Sequence, residues 1–477
     1  MEIRVGDKIK QSRKELKMSQ AALGGEHISK GMLSLIENNL ATPSMKSLQY
    51  IAERLNKPVS YFLDDNYIDN QIDDTSEINQ ILMQTNALIS RSIYMTPTNI
   101  LAEMNRIIKH FSKPYKIFHA NIFNQFGLTL TSNLQFNDSD HYFKNALEIY
   151  MKNNMILDTS KVYLNMHFNY YFQYEFIKCK DALDLASESY SNSISKDNIH
   201  EINLLYHKAD LLCLTHSDYN QAVRTIDSAI ELSLESNMYF LERLYRMKAL
   251  LFAENQEFLE FKNNIEKSMM LCKASNLYTQ ILVLNATATG ENALGDSKLA
   301  FKCLQEAQIL FVDLFKIQTN PQDDASFINE VIQILSIQSN NLDSEQHSKA
   351  FYTWLIEKAV SLHRLNQNEQ SLAFLDSIDF DFFVSRFVLI PDKAFFWRER
   401  ITQAMLLNKC GKTDEAFRIA FLARDHLLDI NSYYDLYKSY ECLSEIYNSV
   451  GDYENAYLAL QSAHKYLKEN VNYTFKI

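Results

Sequence analysis

The sequence predicts an all-α protein, a small helical domain followed by a long array of paired helices. Three observations carry this. Across 477 residues there are only nine Gly and six Pro, too few turn formers for the many reversals of an all-β chain. A 47% hydrophobic and 22% charged composition is that of a folded chain able to bury a core. A short helix-turn pattern also recurs at nearly regular steps, so the length is spread over stacked units and not one oversized core.

Residues 5–63 divide into five short helical patterns. Val5, Ile9 and Leu16 share one face of the first, with Lys8, Arg13 and Lys14 on the other, and it ends before Met18-Ser19-Gln20. Ser19 is placed to cap a second helix that turns Leu23 inward and stops at Gly24-Gly25. A third starts near Ser29, buries Leu33 and Ile36, and leaves Ser29, Lys30, Met32 and Ser34 toward solvent. Asn39 follows where a helix end takes a left-handed residue. Ser44, after Pro43, caps a fourth bearing Leu48, Ile51 and Leu55, and Pro58 opens a fifth with Tyr61 and Phe62. The first 60 residues hold ten Lys or Arg against six acids, a balance of +4 in a chain of net charge −12, so the remainder carries −16. A basic module on an acidic body can hold phosphates while the body stays clear of them.

Two short helices about a tight turn, the second showing small polar and cationic side chains, are what the DNA major groove accepts. The separated blocks Ser19-Gln20, Ser34-Leu35-Ile36-Glu37, Pro43-Ser44, Leu48, Ile51-Ala52 and Leu55 resemble the lambda-repressor-like (XRE, Cro/C1-type) helix-turn-helix family. The resemblance implies a five-helix DNA-binding domain over residues 1–66. In it Gln20 holds a phosphate and braces the recognition helix, Ser29, Lys30, Met32 and Ser34 face bases or backbone, and Glu37 is structural. Two residues depart from the family: Leu35 stands where a polar or cationic residue is usual, and Asn39 replaces Gly.

Residues 67–114 read as a linker. Asp64 to Glu77 is acidic and poor in apolar residues, a hinge, and a helical segment from Ser76 to Phe111 breaks near Pro97.

From residue 115 to 477 the chain repeats. The clearest copies are Gly411-Lys412-Thr413-Asp414-Glu415-Ala416 and Gly451-Asp452-Tyr453-Glu454-Asn455-Ala456. Anchored on Ala146, Ala182, Ala222, Phe261, Ala300, Leu372, Ala416 and Ala456, the steps are 36, 40, 39, 39, 72, 44 and 40. They suit a two-helix unit near the roughly 34-residue tetratricopeptide repeat (TPR) with longer helices, and hence a right-handed TPR-like α-solenoid. The stretch 311–341 breaks the pattern, with a loop at Asn320-Pro321-Gln322 and a degenerate or extra helix. Setting every anchor at one repeat position places Arg243, Arg246, Asn285, Trp354, Lys358, Arg364 and Asn408 on the concave wall, with His167, His207 and Lys208 earlier. Amides and cations there suit an extended peptide, since Asn bonds both a peptide C=O and N–H and Arg or Lys meets a carboxylate.

A helix-turn-helix domain followed by such an array resembles the RRNPP group (Rap, Rgg, NprR, PlcR, PrgX), peptide-pheromone receptors of Gram-positive bacteria and their phages. The resemblance implies a homodimeric cytoplasmic quorum-sensing regulator. It reads double-stranded DNA at an inverted-repeat operator under control of a short signalling peptide in the repeat groove, clamped by Asn285 and Asn408. The alternative is a Rap-like scaffold that sequesters a response regulator or another protein.

The sequence holds no P-loop, G-x-S-x-G, H-E-x-x-H or Gly-rich dinucleotide motif, so neither an enzyme nor a cofactor site is expected. The six cysteines lie far apart without metal-ligand spacing and are expected as reduced core thiols, with no metal. The charged opening Met1-Glu2-Ile3-Arg4 and the lack of an apolar run near the roughly 18 residues of a membrane span lead to the expectation of a cytoplasmic protein with no membrane partner.

Overall fold

The computed structural model describes residues 5–474 other than 17, 26, 42, 56, 58, 60, 61, 63–70, 217, 237–239, 319–322, 338–341 and 388. Every regular element among them is helical, and the chain divides into two compact units after Leu88.

The first unit opens with α1 (Val5–Glu15), α2 (Gln20–Gly24), α3 (Lys30–Glu37) and α4 (Met45–Arg54). Ile9, Leu23, Ile28, Leu33, Ile36, Leu48, Ile51, Leu55 and Phe62 close over one core. Ser19, Ser29 and Ser44 each cap the helix they precede, their hydroxyls accepting from the Ala22, Met32 and Ser47 amides, as their β-region backbone allows. Asn39 is left-handed at φ 56°, and its Oδ1 accepts the Gly6 amide at 3.0 Å. That bond ties the end of α3 to the start of α1, which glycine could not do. Of the expected fifth helix, Val59 and Phe62 are helical and Phe62 is buried; residues 58, 60, 61 and 63 lie outside the described residues. The acidic hinge is shorter than its composition implied: 64–70 lie outside the described residues, and from Gln71 the chain is helical to Arg91, taking Asp73 and Asp74 into a helix. Pro97 then opens the helix Pro97–Ile108 at a position that needs no N–H, behind the cap Thr96.

The second unit stacks helical hairpins. The pairs are Ile117–Ser132 with Phe136–Lys152, Ile156–Tyr171 with Phe176–Asn192, Asn198–Thr215 with Tyr219–Ser236, Leu241–Glu254 with Phe258–Cys272, and Leu277–Leu294 with Ser297–Phe315. Leu342–Arg364 with Asn368–Asp376, Ile390–Lys409 with Thr413–Ile430, and Tyr433–Ser449 with Tyr453–Thr474 complete the series. Every anchor falls in the second helix of its pair, and all but the half-buried Leu372 are buried. The double step is the helix Asp324–Ile337, inserted between the fifth and sixth pairs, and the step of 44 takes in the short helix Phe380–Arg386. The inserted helix is held against Leu342–Arg364 by one face: Phe327 packs 5.4 Å from Trp354, and Asp324 accepts Lys358 Nζ at 2.6 Å.

The turn inside each pair contains one residue with positive φ: Leu134, Tyr174, His216, Gln256, Gly295, Asn366, Gly411 and Gly451. Only three are glycine, and a side-chain-bearing residue in that conformation costs about 1 kcal/mol. Phe261 breaks the small-residue rule at the anchors, and the sequence compensates at Gly290, where an added Cβ would overlap the Phe261 ring. Gly290→Ala is therefore expected to destabilise the array by roughly 1–3 kcal/mol, seen as a lower melting temperature. In a Phe261→Ala background, itself destabilised by the lost ring, Gly290→Ala should cost less than it does in wild type.

Candidate functional site

In the first unit a buried carboxylate organises the motif. Glu37 is 0% exposed at the end of α3. It accepts Arg13 Nε at 2.5 Å and Nη2 at 2.8 Å from α1, and Gln20 Nε2 at 2.8 Å from α2. Burial pushes its pKa up, but the Arg13 and Gln20 bonds outweigh this and hold it below the ordinary 4.5. Gln20 thus braces α3 through Glu37. Arg13 also donates to the Met18 carbonyl at 2.7 Å, and Arg54 to that of Ala22 at 2.8 Å, so both ends of α2 are held from neighbouring helices.

This frame leaves one side of α3 bare. Leu33, Ile36 and Glu37 point inward, while Ser29, Lys30, Gly31, Met32, Leu35 and Asn38 are exposed and Ser34 is half-buried. The Ser29 hydroxyl is engaged as the cap of α3. An N-terminal helix end with a cation and small polar groups favours an anion before it. The arrangement can enter a groove between phosphate rows.

In the second unit, the turns of the second and third pairs meet the last pair. Tyr174 Oη lies 2.9 Å from Ser432 Oγ, His216 stacks on Tyr434 at 3.6 Å, and Asn470 Nδ2 donates to the Thr215 carbonyl at 3.3 Å. The second and third pairs therefore meet the last across the interior of the array. That interior is lined with charge. Arg398 makes a two-point bond to Asp435 at 2.6 and 3.2 Å, and Lys349 meets Asp392 at 2.6 Å. Asp210 is pushed up by burial against the pull of Arg243 and Lys349. Glu357 is also pushed up by burial, although Asn292 donates to it at 2.7 Å. Glu399 stands beside Glu357, and burial together with that carboxylate raises its pKa to about 8, against the opposing Arg398 and Lys349.

The expected wall residues divide. Arg243 is exposed, 5.3 Å over the Tyr206 ring and near Asp210; Arg364 is exposed within the field of Glu357. Arg246 is half-buried and paired with Glu242 at 2.8 Å, and Asn408 accepts the Ser449 hydroxyl at 2.9 Å. Four placements need correction. Asn285 is 2% exposed and donates to the Ala350 carbonyl at 2.8 Å, a tie between first helices of adjacent pairs. Lys358 is 5% exposed and holds Asp324 of the inserted helix. Trp354 is core, its indole donating to the Leu304 carbonyl, and buried His167 lies 3.1 Å from the Cys179 carbonyl. Trp354 and Lys358 face the second helix of the preceding pair at Leu304 and Gln308, so this side of Leu342–Arg364 belongs to the core of the stack, and the inserted helix packs beside it. Cation and amide patterning does not reveal the carboxylates of the wall; Asp392, Arg398 and Glu399, close together on one first helix, mark them. Cys179, Cys272, Cys303 and Cys442 are buried free thiols, while Cys213 and Cys410 are half-buried.

No described helix is long and apolar enough to cross a membrane. No curated protein matches the chain. Among solved structures, PlcR of Bacillus thuringiensis in complex with the peptide PapR7 and DNA is 17% identical, covering 61% of this chain and 99% of that one at a TM-score of 0.36. The apo form of the quorum sensor NprR from B. thuringiensis is 14% identical, covering 84% and 100% at 0.49. ComR from S. thermophilus in complex with DNA and its signalling peptide ComS is 18% identical, covering 64% and 99% at 0.27. Residues 9–62 match the family model described as Helix-turn-helix, and this segment, with its buried Glu37 bridge and bare α3, is a helix-turn-helix domain.

Proposed function

We propose that the chain is a cytoplasmic, homodimeric transcriptional regulator. Its helix-turn-helix domain binds duplex DNA, and a short signalling peptide in the interior of the repeat array controls that binding. The observation that carries the reading is the exposed face Ser29–Asn38 on a domain whose core and bridges are complete. Ser29, Lys30, Met32 and Ser34 meet the groove, and Gln20 lies where a phosphate passes the start of α2. A single recognition helix spans few base pairs, which favours two copies on two half-sites of an inverted repeat. The same bare face supports DNA reading over a scaffold that only sequesters a protein partner. For the peptide, the interior offers Arg243, Arg364 and Lys349 to carboxylates and Glu357 and Glu399 to a cation, with Arg246 and Asn408 at its margin.

The test is anisotropy of a labelled duplex enriched from a random library, titrated at several salt concentrations. Lys30→Ala is expected to weaken binding similarly on every sequence and to lower the salt slope by about one phosphate contact. An unchanged slope and affinity would remove Lys30 from the interface, and no enrichment over random competitor would reject DNA binding.

A further inference from the structure

We propose that α3 reads thymine methyl groups through Leu35 and Met32, and that Gly31 exists to let the helix backbone come close to the base edges. The inference rests on the DNA reading above and names what that face recognises. With Leu33, Ile36 and Glu37 inward, Gly31 and Leu35 lie near the middle of the outward side at helical spacing, with Asn38 and Ser34 to one flank and Met32 to the other. Leu35 is 45% exposed and Met32 47%, and neither belongs to the core of the unit.

Two apolar side chains on the bare face of a basic domain have one complementary feature in a major groove. The donor and acceptor atoms of the base edges offer nothing to them, whereas the thymine C5-methyl is apolar and marks one base alone. Lys30, Ser34 and Asn38 around them keep the patch charge-complementary to DNA, which distinguishes it from a docking face for an apolar protein.

Gly31 points the same way. It sits inside a helix, where glycine is the poorest residue after proline. Its φ is not positive, and a Cβ built on it meets no atom within 4 Å. Nothing in the fold requires glycine there, so its smallness serves what lies outside.

The experiment uses the full chain and duplexes enriched from a random library, with thymines replaced one at a time by deoxyuridine. Wild type is expected to lose roughly fourfold in affinity at each contacted position, the worth of one buried methyl. Leu35→Ala should lose about tenfold on the parent duplex and become indifferent to the deoxyuridine at one of those positions. Gly31→Ala should melt at the same or a higher temperature yet bind at least about tenfold more weakly, a divergence that a structural role cannot produce. Equal affinity of wild type for every deoxyuridine duplex would overturn methyl reading, and full affinity of Gly31→Ala would overturn close approach, both leaving DNA binding in place. If no duplex is enriched, DNA binding falls and this inference with it.

Discussion

Glu37→Ala is expected to abolish DNA binding by unfolding the first unit while the array stays folded. The carboxylate is fully buried and is the shared acceptor of Arg13 and Gln20, so its removal leaves a guanidinium and an amide without their partner. Removing one member of a buried pair costs about 3–5 kcal/mol, comparable with the whole stability of a small domain at roughly 5 kcal/mol or somewhat more. Hydrogen exchange of the full chain reads the two units separately: protection should vanish in α1–α3 and persist in the hairpins. Glu37→Gln keeps the shape and one acceptor oxygen and should fall between the two. Because Glu37 is held below its ordinary range, the bridge stabilises the domain above that range and its contribution is lost as pH falls through the folded value. The first unit of wild type should therefore loosen in acid before Glu37→Gln loses anything further. Retained protection of α1–α3 in Glu37→Ala would refute the assignment.

The first unit was legible where its local signals agree with its packing; the first helix is the exception, since Lys8 is buried and Leu16 exposed, the reverse of the faces their spacing assigned. Ser19, Ser29 and Ser44 cap where they stand in the sequence, and the apolar positions of α3 and α4 point where their spacing sends them. The array was legible as a period, since the anchors all fall in second helices, but weakly, because glycine marks only three of its left-handed turns and Leu134, Tyr174, His216 and Gln256 adopt the same conformation without it. The wall was least legible. Its register depends on which face of Leu342–Arg364 packs on the second helix of the preceding pair, a contact made by Phe351, Trp354 and Lys358 with Phe311, Leu304 and Gln308. No spacing within one repeat encodes that contact. The meeting of His216 with Tyr434 across the array is likewise a product of accumulated rotation between repeats. A carboxylate such as Glu399 acquires its setting only when those distant pairs come together.

That setting makes Glu399 the site of the second large effect. Its pKa is raised to about 8 by burial, next by Glu357, and also by Asp435, with Arg398 and Lys349 pulling the other way. A carboxyl held that high binds its proton more tightly folded than unfolded. Its stabilising share is therefore complete below the ordinary 4.5 and lost as pH rises toward 8. The array is expected to melt at progressively lower temperature across that window, and Glu399→Gln, which keeps the shape without the charge, should flatten the dependence. At pH 8 the variant is expected to be the more stable by a few kcal/mol, on the order of one pKa unit per 1.4 kcal/mol after discount for the groove's access to water. A cation brought into the wall should do for wild type what the glutamine does for the variant. Peptides carrying Lys or Arg are thus expected to raise the melting temperature of wild type at pH 8 and to leave Glu399→Gln nearly unmoved. A variant with the same pH profile as wild type would show that Glu399 ionises freely and that the interior imposes no charge preference on its ligand.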